Sequence, residues 1–234
     1  MSGDGRFFQG VFQRRYKRFF ADVELPGGEI LTVHCANTGS MKNCLVPGTP
    51  CFYSRSDNPA RKLPGTLEVV TTCYGNLAGV NTGRPNALVR TAIEAGTIAE
   101  LRGYTGLRSE VRYGDEGSRI DLLLQGESAD CYLEVKNVTL DCGGGVARFP
   151  DAVTSRGSKH LRELMAMVGQ GHRAVLFFCV QLTGVDRVGL AGDIDPVYAA
   201  TFKGAVDAGV EVIAWQADID ADGIRLARPL PFVD

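Results

Sequence analysis

The chain has 234 residues, of which 44% are hydrophobic and 22% charged, and its net charge is −2. That balance excludes a disordered polyelectrolyte and shows no overall basic excess of the kind that marks a nucleic-acid binder. No apolar run approaches the ~20 residues needed to cross a bilayer, so no membrane association is expected.

The first elements are β-rich. A strand around Phe7–Phe12 is followed by RFFADVEL, EILTVHCAN, TPCFYSRS and GTLEVVTT, separated by Gly/Pro turns such as the PGG at 26–28. Five short strands need closure to hide their edges, which predicts an OB-like five-stranded β-barrel over residues 1–80. Charge is unevenly shared. Residues 1–72 hold nine Lys and Arg against six Asp and Glu, whereas residues 73–234 hold sixteen against twenty-one. The excess concentrates in RRYKRFF (14–20). Aromatic side chains there can stack bases while cations track phosphates, so Arg14, Arg15, Lys17 and Arg18 are candidate DNA contacts. The plainer alternative is a strand with a basic outer face and Phe19 or Phe20 in the core. In HCANTGS (34–40), His34 and Cys35 are adjacent on a strand and point to opposite faces. A polar strand end and turn is therefore expected there, not a nucleophile–base pair.

After Asn76 the pattern changes. NTGRPN reads as an Asn-capped turn, with Asn81 bordering the site, and leads into a helix over 84–101. Three strands follow, GLRSEVRYG, SRIDLLLQG and CYLEVKNVTL. A helix over 158–171, the apolar strand RAVLFFCVQL, the helix PVYAATFKGAVDAG and the strand VEVIAWQADI complete the series. The order αβββαβαβ predicts a second domain, residues 81–234, with helices on both faces of a mixed sheet. The seven cysteines include no C-x-x-C pair, which argues against structural zinc or a disulfide framework and fits reduced thiols in a cytoplasmic protein. The N-terminal MSGDGRFFQGVFQRR lacks the apolar stretch of a secretory signal.

Charged residues interrupt two of these strands. If SRIDLLLQGESADCYLEVKNVTL turns around Glu127–Ser128, Asp121 falls opposite Glu134, and Lys136 shares the Glu134 face. Opposed Cβ atoms lie ~4.5–5.5 Å apart, where two carboxylates repel unless a proton or a cation separates them. Oxygen ligands suit Mg²⁺ or Mn²⁺, and Lys136 could hold a water or offset charge on a phosphate, which together suggest metal-assisted phosphodiester hydrolysis. The alternative is a solvated strand face with Lys136 paired to Glu134. Glu110, on the preceding strand, is a candidate further metal ligand or a surface glutamate. Arg156, Lys159 and His160 cluster at a helix start, where N–H groups favour a phosphate; a solvated helix end with His160 half-buried would look the same.

D…ExK on consecutive strands after a helix and a first strand resembles the PD-(D/E)xK nucleases. VHCANTGSM, GVNT with PN, SRID, EVKNVTL and FPDAVTSRGSKHLREL resemble, more specifically, the sugar fermentation stimulation protein family, SfsA. The likeness runs from about Gly10 to the final strand. Two positions depart from it, Ala36 where the family usually has Pro and Leu67 where Trp is common. The resemblance implies an OB-like domain, a nuclease-like α/β domain with Asp121, Glu134 and Lys136 as its catalytic triplet, and DNA as partner. A DNA-binding protein with a Mg²⁺-dependent nuclease-like site is the expectation. Its rivals are a non-catalytic regulator of sugar (maltose) metabolism genes and a metal-dependent enzyme on phosphorylated sugars. The oligomeric state is left open, a homodimer included.

Overall fold

The structure, a computed structural model, describes residues 6–233; the first five residues of the segment read as no secretory signal lie outside them. The N-terminal strands are β1 (Phe8–Tyr16), β2 (Phe20–Glu24), β3 (Ile30–His34), β4 (Thr49–Arg55), β5 (Gly65–Thr71) and β6 (Leu77–Gly79). Their order is β3-β2-β1-β4-β5, with β6 added beyond β5. A parallel contact between β3 and β5, at His34 and Thr66, closes β1–β5 into the expected barrel. Closure follows from the side-chain pattern. Phe12, Val23, Val33, Cys51, Tyr53 and Leu67 turn inward and are buried, which hides one face of every strand. Leu67 thus fills the barrel interior, where a tryptophan would need more room.

The second domain contains α1 (Pro85–Glu94), β7 (Gly106–Tyr113), β8 (Ser118–Gln125), β9 (Cys131–Val138), β10 (Leu140–Asp141), β11 (Val146–Phe149), α2 (Ser155–Gly169), β12 (Arg173–Val180), β13 (Arg187–Leu190), α3 (Pro196–Asp207), β14 (Glu211–Asp220), β15 (Gly223–Pro229) and β16 (Phe232–Val233). Its main sheet has the order β15-β14-β12-β9-β8-β7. β12 runs parallel to both β9 and β14, and the outer pairings are antiparallel. One face packs Leu122, Leu133 and Phe177 against Val89 and Ala92 of α1. The other packs Leu123, Leu176 and Phe178 against Leu161 of α2 and Phe202 of α3. Burial on both faces explains the unbroken apolar run of β12.

Three features differ from expectation. α1 stops at Glu94 instead of Leu101, because Gly96, at φ +67°, takes the left-handed conformation that ends a helix. α2 starts at Ser155, three residues early, because the Thr154 hydroxyl accepts the Gly157 N–H at 3.0 Å and caps it. A small sheet of order β10-β11-β13-β16 lies outside the expected set.

The two domains share a core. One continuous apolar cluster runs from Phe12 and Leu67 in the barrel to Phe178 and Leu230 in the second domain. Polar groups fasten the same seam. Asp141, fully buried, accepts hydrogen bonds from Thr72 Oγ1 (2.7 Å) and Asn76 Nδ2 (2.8 Å) on the barrel side. Buried Glu68 on β5 accepts from Asn81 Nδ2 at 2.9 Å and pairs with Arg84 Nε at 2.5 Å, just before α1. Ala36, at one of the departures from the family pattern, accepts the Thr82 hydroxyl through its carbonyl.

Candidate metal centre

The β8–β9 ladder pairs Leu122 with Leu133, Leu123 with Tyr132 and Leu124 with Cys131. One further step sets Asp121 opposite Glu134, as the turn at Glu127–Ser128 predicts. Asp121 Oδ2 accepts the Val135 N–H at 2.8 Å, and Oδ1 accepts Asn86 Nδ2 at 2.8 Å. Asn86 reaches it because Pro85 opens α1 directly above the hairpin. Lys136 lies on the Glu134 face and donates from Nζ to Glu134 Oε1 at 2.8 Å. His160 Nδ1 meets the same oxygen, while Arg156 Nε donates to His160 Nε2 at 3.2 Å. Arginine only donates, so His160 Nε2 must accept, and Nδ1 carries the proton toward Glu134. These groups border a cavity of about 250 Å³ whose wall also includes Thr82, Asn137 and Thr154.

The electrostatics separate the two carboxyls. Burial, then the charge of Glu134, raises the Asp121 pKa to about 6, although bonds from Val135 and Asn86 and the charge of Lys136 pull the other way. Burial also pushes Glu134 up, but the Lys136 charge and the His160 hydrogen bond outweigh it and leave Glu134 below the usual carboxylate range. Glu134 is 3% exposed, and its Oε2 is buried without a hydrogen-bond partner. A buried carboxylate oxygen left unpartnered is costly. A hard divalent cation between the opposed carboxyls would satisfy it, so the residues present fit such an ion.

The other sequence candidates are placed differently. Glu110 is exposed, adopts φ +56° and lines a neighbouring cavity, apart from the one that holds Asp121 and Glu134. His160 is 5% exposed and points at Glu134, so it is a buried partner of the carboxylate. With α2 beginning at Ser155, it stands in the second helical turn and faces the sheet. Lys159 donates to the Glu116 carbonyl. In the barrel, Arg14 pairs with Asp22 at 2.7 Å, and Arg15 donates to the carbonyls of Arg18, Asn37 and Gly39. Lys17 and Arg18 form the exposed turn between β1 and β2, at φ +48° and +62°. Phe20 is half-buried and stacks on Tyr16, whereas Phe19 is 49% exposed. Gln181, which sequence reasoning missed, is buried and donates to Asn137 Oδ1 at 2.7 Å behind the cavity. The asparagine following the lysine in EVKN was its one local signal.

Comparison with known proteins covers nearly the whole chain. The profile of the SfsA N-terminal OB domain matches residues 14–80, and that of the sugar fermentation stimulation protein RE domain matches residues 83–223. A sugar fermentation stimulation protein homolog from Teredinibacter turnerae is 60% identical over 220 residues, 94% of each chain. One from Pseudomonas putida KT2440 is 56% identical over 224 residues, 95% of this chain and 94% of its own. Among solved structures, Pyrococcus furiosus SfsA in complex with Ca²⁺ superposes with a TM-score of 0.86 at 26% identity, covering 97% of this chain and 96% of that one. Two matched domains in the right order, on a fold that superposes end to end, place this chain in the sugar fermentation stimulation protein family.

Proposed function

We propose that this protein binds DNA and hydrolyses phosphodiesters at a divalent-metal site formed by Asp121 and Glu134. The observation that carries the proposal is the buried, unpartnered Glu134 Oε2 beside a second carboxyl, with Lys136 within hydrogen-bond reach. The related SfsA solved with Ca²⁺ supports a divalent ion, and we take the working metal to be Mg²⁺ or Mn²⁺. When bound, the ion would supply positive charge to the phosphate and acidity to water. Lys136, freed from Glu134 Oε1, would orient the attacking water and offset charge as the phosphate becomes pentavalent. His160 would keep Glu134 turned toward the ion, and Asn86 would do the same for Asp121. The barrel would add grip on DNA through Lys17 and Arg18, whose cations extend from the turn without an ion-pair partner among the described residues. The free state of all seven thiols fits the cytoplasmic setting we also propose.

A cavity that adjoins a second one across Arg156 and His160 suits an extended substrate better than an enclosed phosphorylated sugar. The decisive experiment incubates plasmid, single-stranded and branched DNA with the protein in Mg²⁺, Mn²⁺ or EDTA. Metal-dependent cleavage is expected, lost in Lys136→Ala while DNA binding persists. Binding without cleavage of any substrate would return the protein to a regulator's role, and absence of binding would remove DNA altogether.

A further inference from the structure

Arg112 and Arg119 are direct cross-strand partners on β7 and β8. Both are exposed, and neither has a hydrogen-bonding or ion-pair partner among the described residues. Like charges directly opposed on a ladder destabilise it, so two unneutralised arginines at this position need an anion to justify them. Arg119 lines a second cavity of about 290 Å³ together with Arg156, Lys159, His160 and Glu110. Arg156 and His160 also border the cavity of Asp121 and Glu134, so the two spaces adjoin across that pair. Three cations against the single carboxylate of Glu110 give the second cavity a positive field, which Arg112 reinforces from the next strand. The carboxylate of Glu116, in the turn between these strands, is taken up by Arg162 at 2.8 Å and does not neutralise it.

We propose that this second cavity is a phosphate subsite. It holds the backbone phosphate next to the scissile one on the same strand, contacted by Arg119, Arg156 and Lys159. The proposal rests on the phosphodiester reading of the first cavity and adds a direction to it: the substrate strand leaves the metal centre over Arg156 and passes along the β7–β8 hairpin. Glu110 then opposes the strand electrostatically and is not a metal ligand.

The test measures anisotropy of a labelled 20-base-pair duplex in Ca²⁺ at several salt concentrations. The proteins are the full-length wild type, Arg112→Ala/Arg119→Ala, Glu110→Gln, and Lys203→Ala as a distant control on α3. The double variant should weaken binding at least tenfold at low salt. It should also flatten the dependence of log K on log salt by up to about 0.9, the share of one phosphate contact. Glu110→Gln should tighten binding two- to threefold and leave Ca²⁺ affinity unchanged, whereas Lys203→Ala should match the wild type. Removing opposed like charges relieves repulsion, so the double variant should melt no lower than the wild type. If the wild type binds and the double variant binds equally well with the same slope, the subsite is overturned and the metal centre stands. If the wild type itself fails to bind, the subsite falls together with the DNA-binding reading it rests on.

Discussion

Replacing Asp121 with Asn should stabilise the metal-free protein at neutral pH while destroying its affinity for divalent ions. The Asp121 pKa rises from its ordinary 3.8 to about 6. Ionising it therefore costs the folded state about 3 kcal/mol, at ~1.36 kcal/mol per pH unit. Asparagine removes the charge and can keep both hydrogen bonds. Its oxygen accepts the Val135 N–H, and its amide donates to Asn86 once that side chain flips. Some charge-assisted bonding is lost, so the net gain should be about 1–2 kcal/mol, roughly 3–6 °C in Tm for a chain of this size. The sign follows from linkage. The folded pKa lies above the unfolded one, so the native state holds the proton more tightly. The Asp121 contribution is therefore fully present below about pH 4 and is lost as pH rises through 6. The difference between variant and wild type should be full above about pH 7 and vanish near pH 4. Thermal unfolding in EDTA across that range measures it, and repeating it at saturating Mn²⁺ should reverse the order, since only the wild type gains from the ion. An Asp121→Asn protein that melts lower than the wild type in EDTA at pH 8 would refute the claim that this carboxyl is a burden without its metal.

Metal affinity of the wild type, followed by titration calorimetry with Mn²⁺, should be nearly flat above pH 6 and fall up to about tenfold per unit below it, as protons compete for Asp121. Asp141→Ala leaves the buried Thr72 hydroxyl and the half-buried Asn76 amide without this acceptor. It should cost about 2–4 kcal/mol in urea unfolding, shared by probes placed in either domain. Thr154→Ala removes the cap of α2 and should cost about 1 kcal/mol, with slightly weaker metal binding because His160 rides on that helix.

Much of this architecture could be read from local pattern. Alternation gave the five barrel strands. A turn at Glu127–Ser128 was enough to set Asp121 across from Glu134, because a strand has a period of two and a hairpin has one register. What escaped was whatever depends on distant partners. β10 and β16 have two residues each, too few to show any period. Asp141 and Glu68 looked like ordinary polar residues because their partners lie across the seam between the domains. Whether His160 lies at a solvated helix end or inside the helix turns on where α2 begins, and a start at Ser155 instead of Ser158 sets it nearly a full turn further in, where it meets Glu134. Arg14 and Arg15 looked like free cations in RRYKRFF. Only the fold reveals that Asp22 and the 37–39 loop have already engaged them, leaving Lys17 and Arg18 to face outward.

The unbroken core between barrel and sheet also has a geometric consequence. With apolar packing and the Asp141 and Glu68 bonds closing the seam, the Lys17–Arg18 turn and the Asp121–Glu134 pair are fixed points on one rigid body. On the proposed function, the molecule would behave as a caliper with its jaws locked: DNA touching both points would be gauged at one constant interval, and a duplex whose shape shortens or lengthens that interval should bind less well.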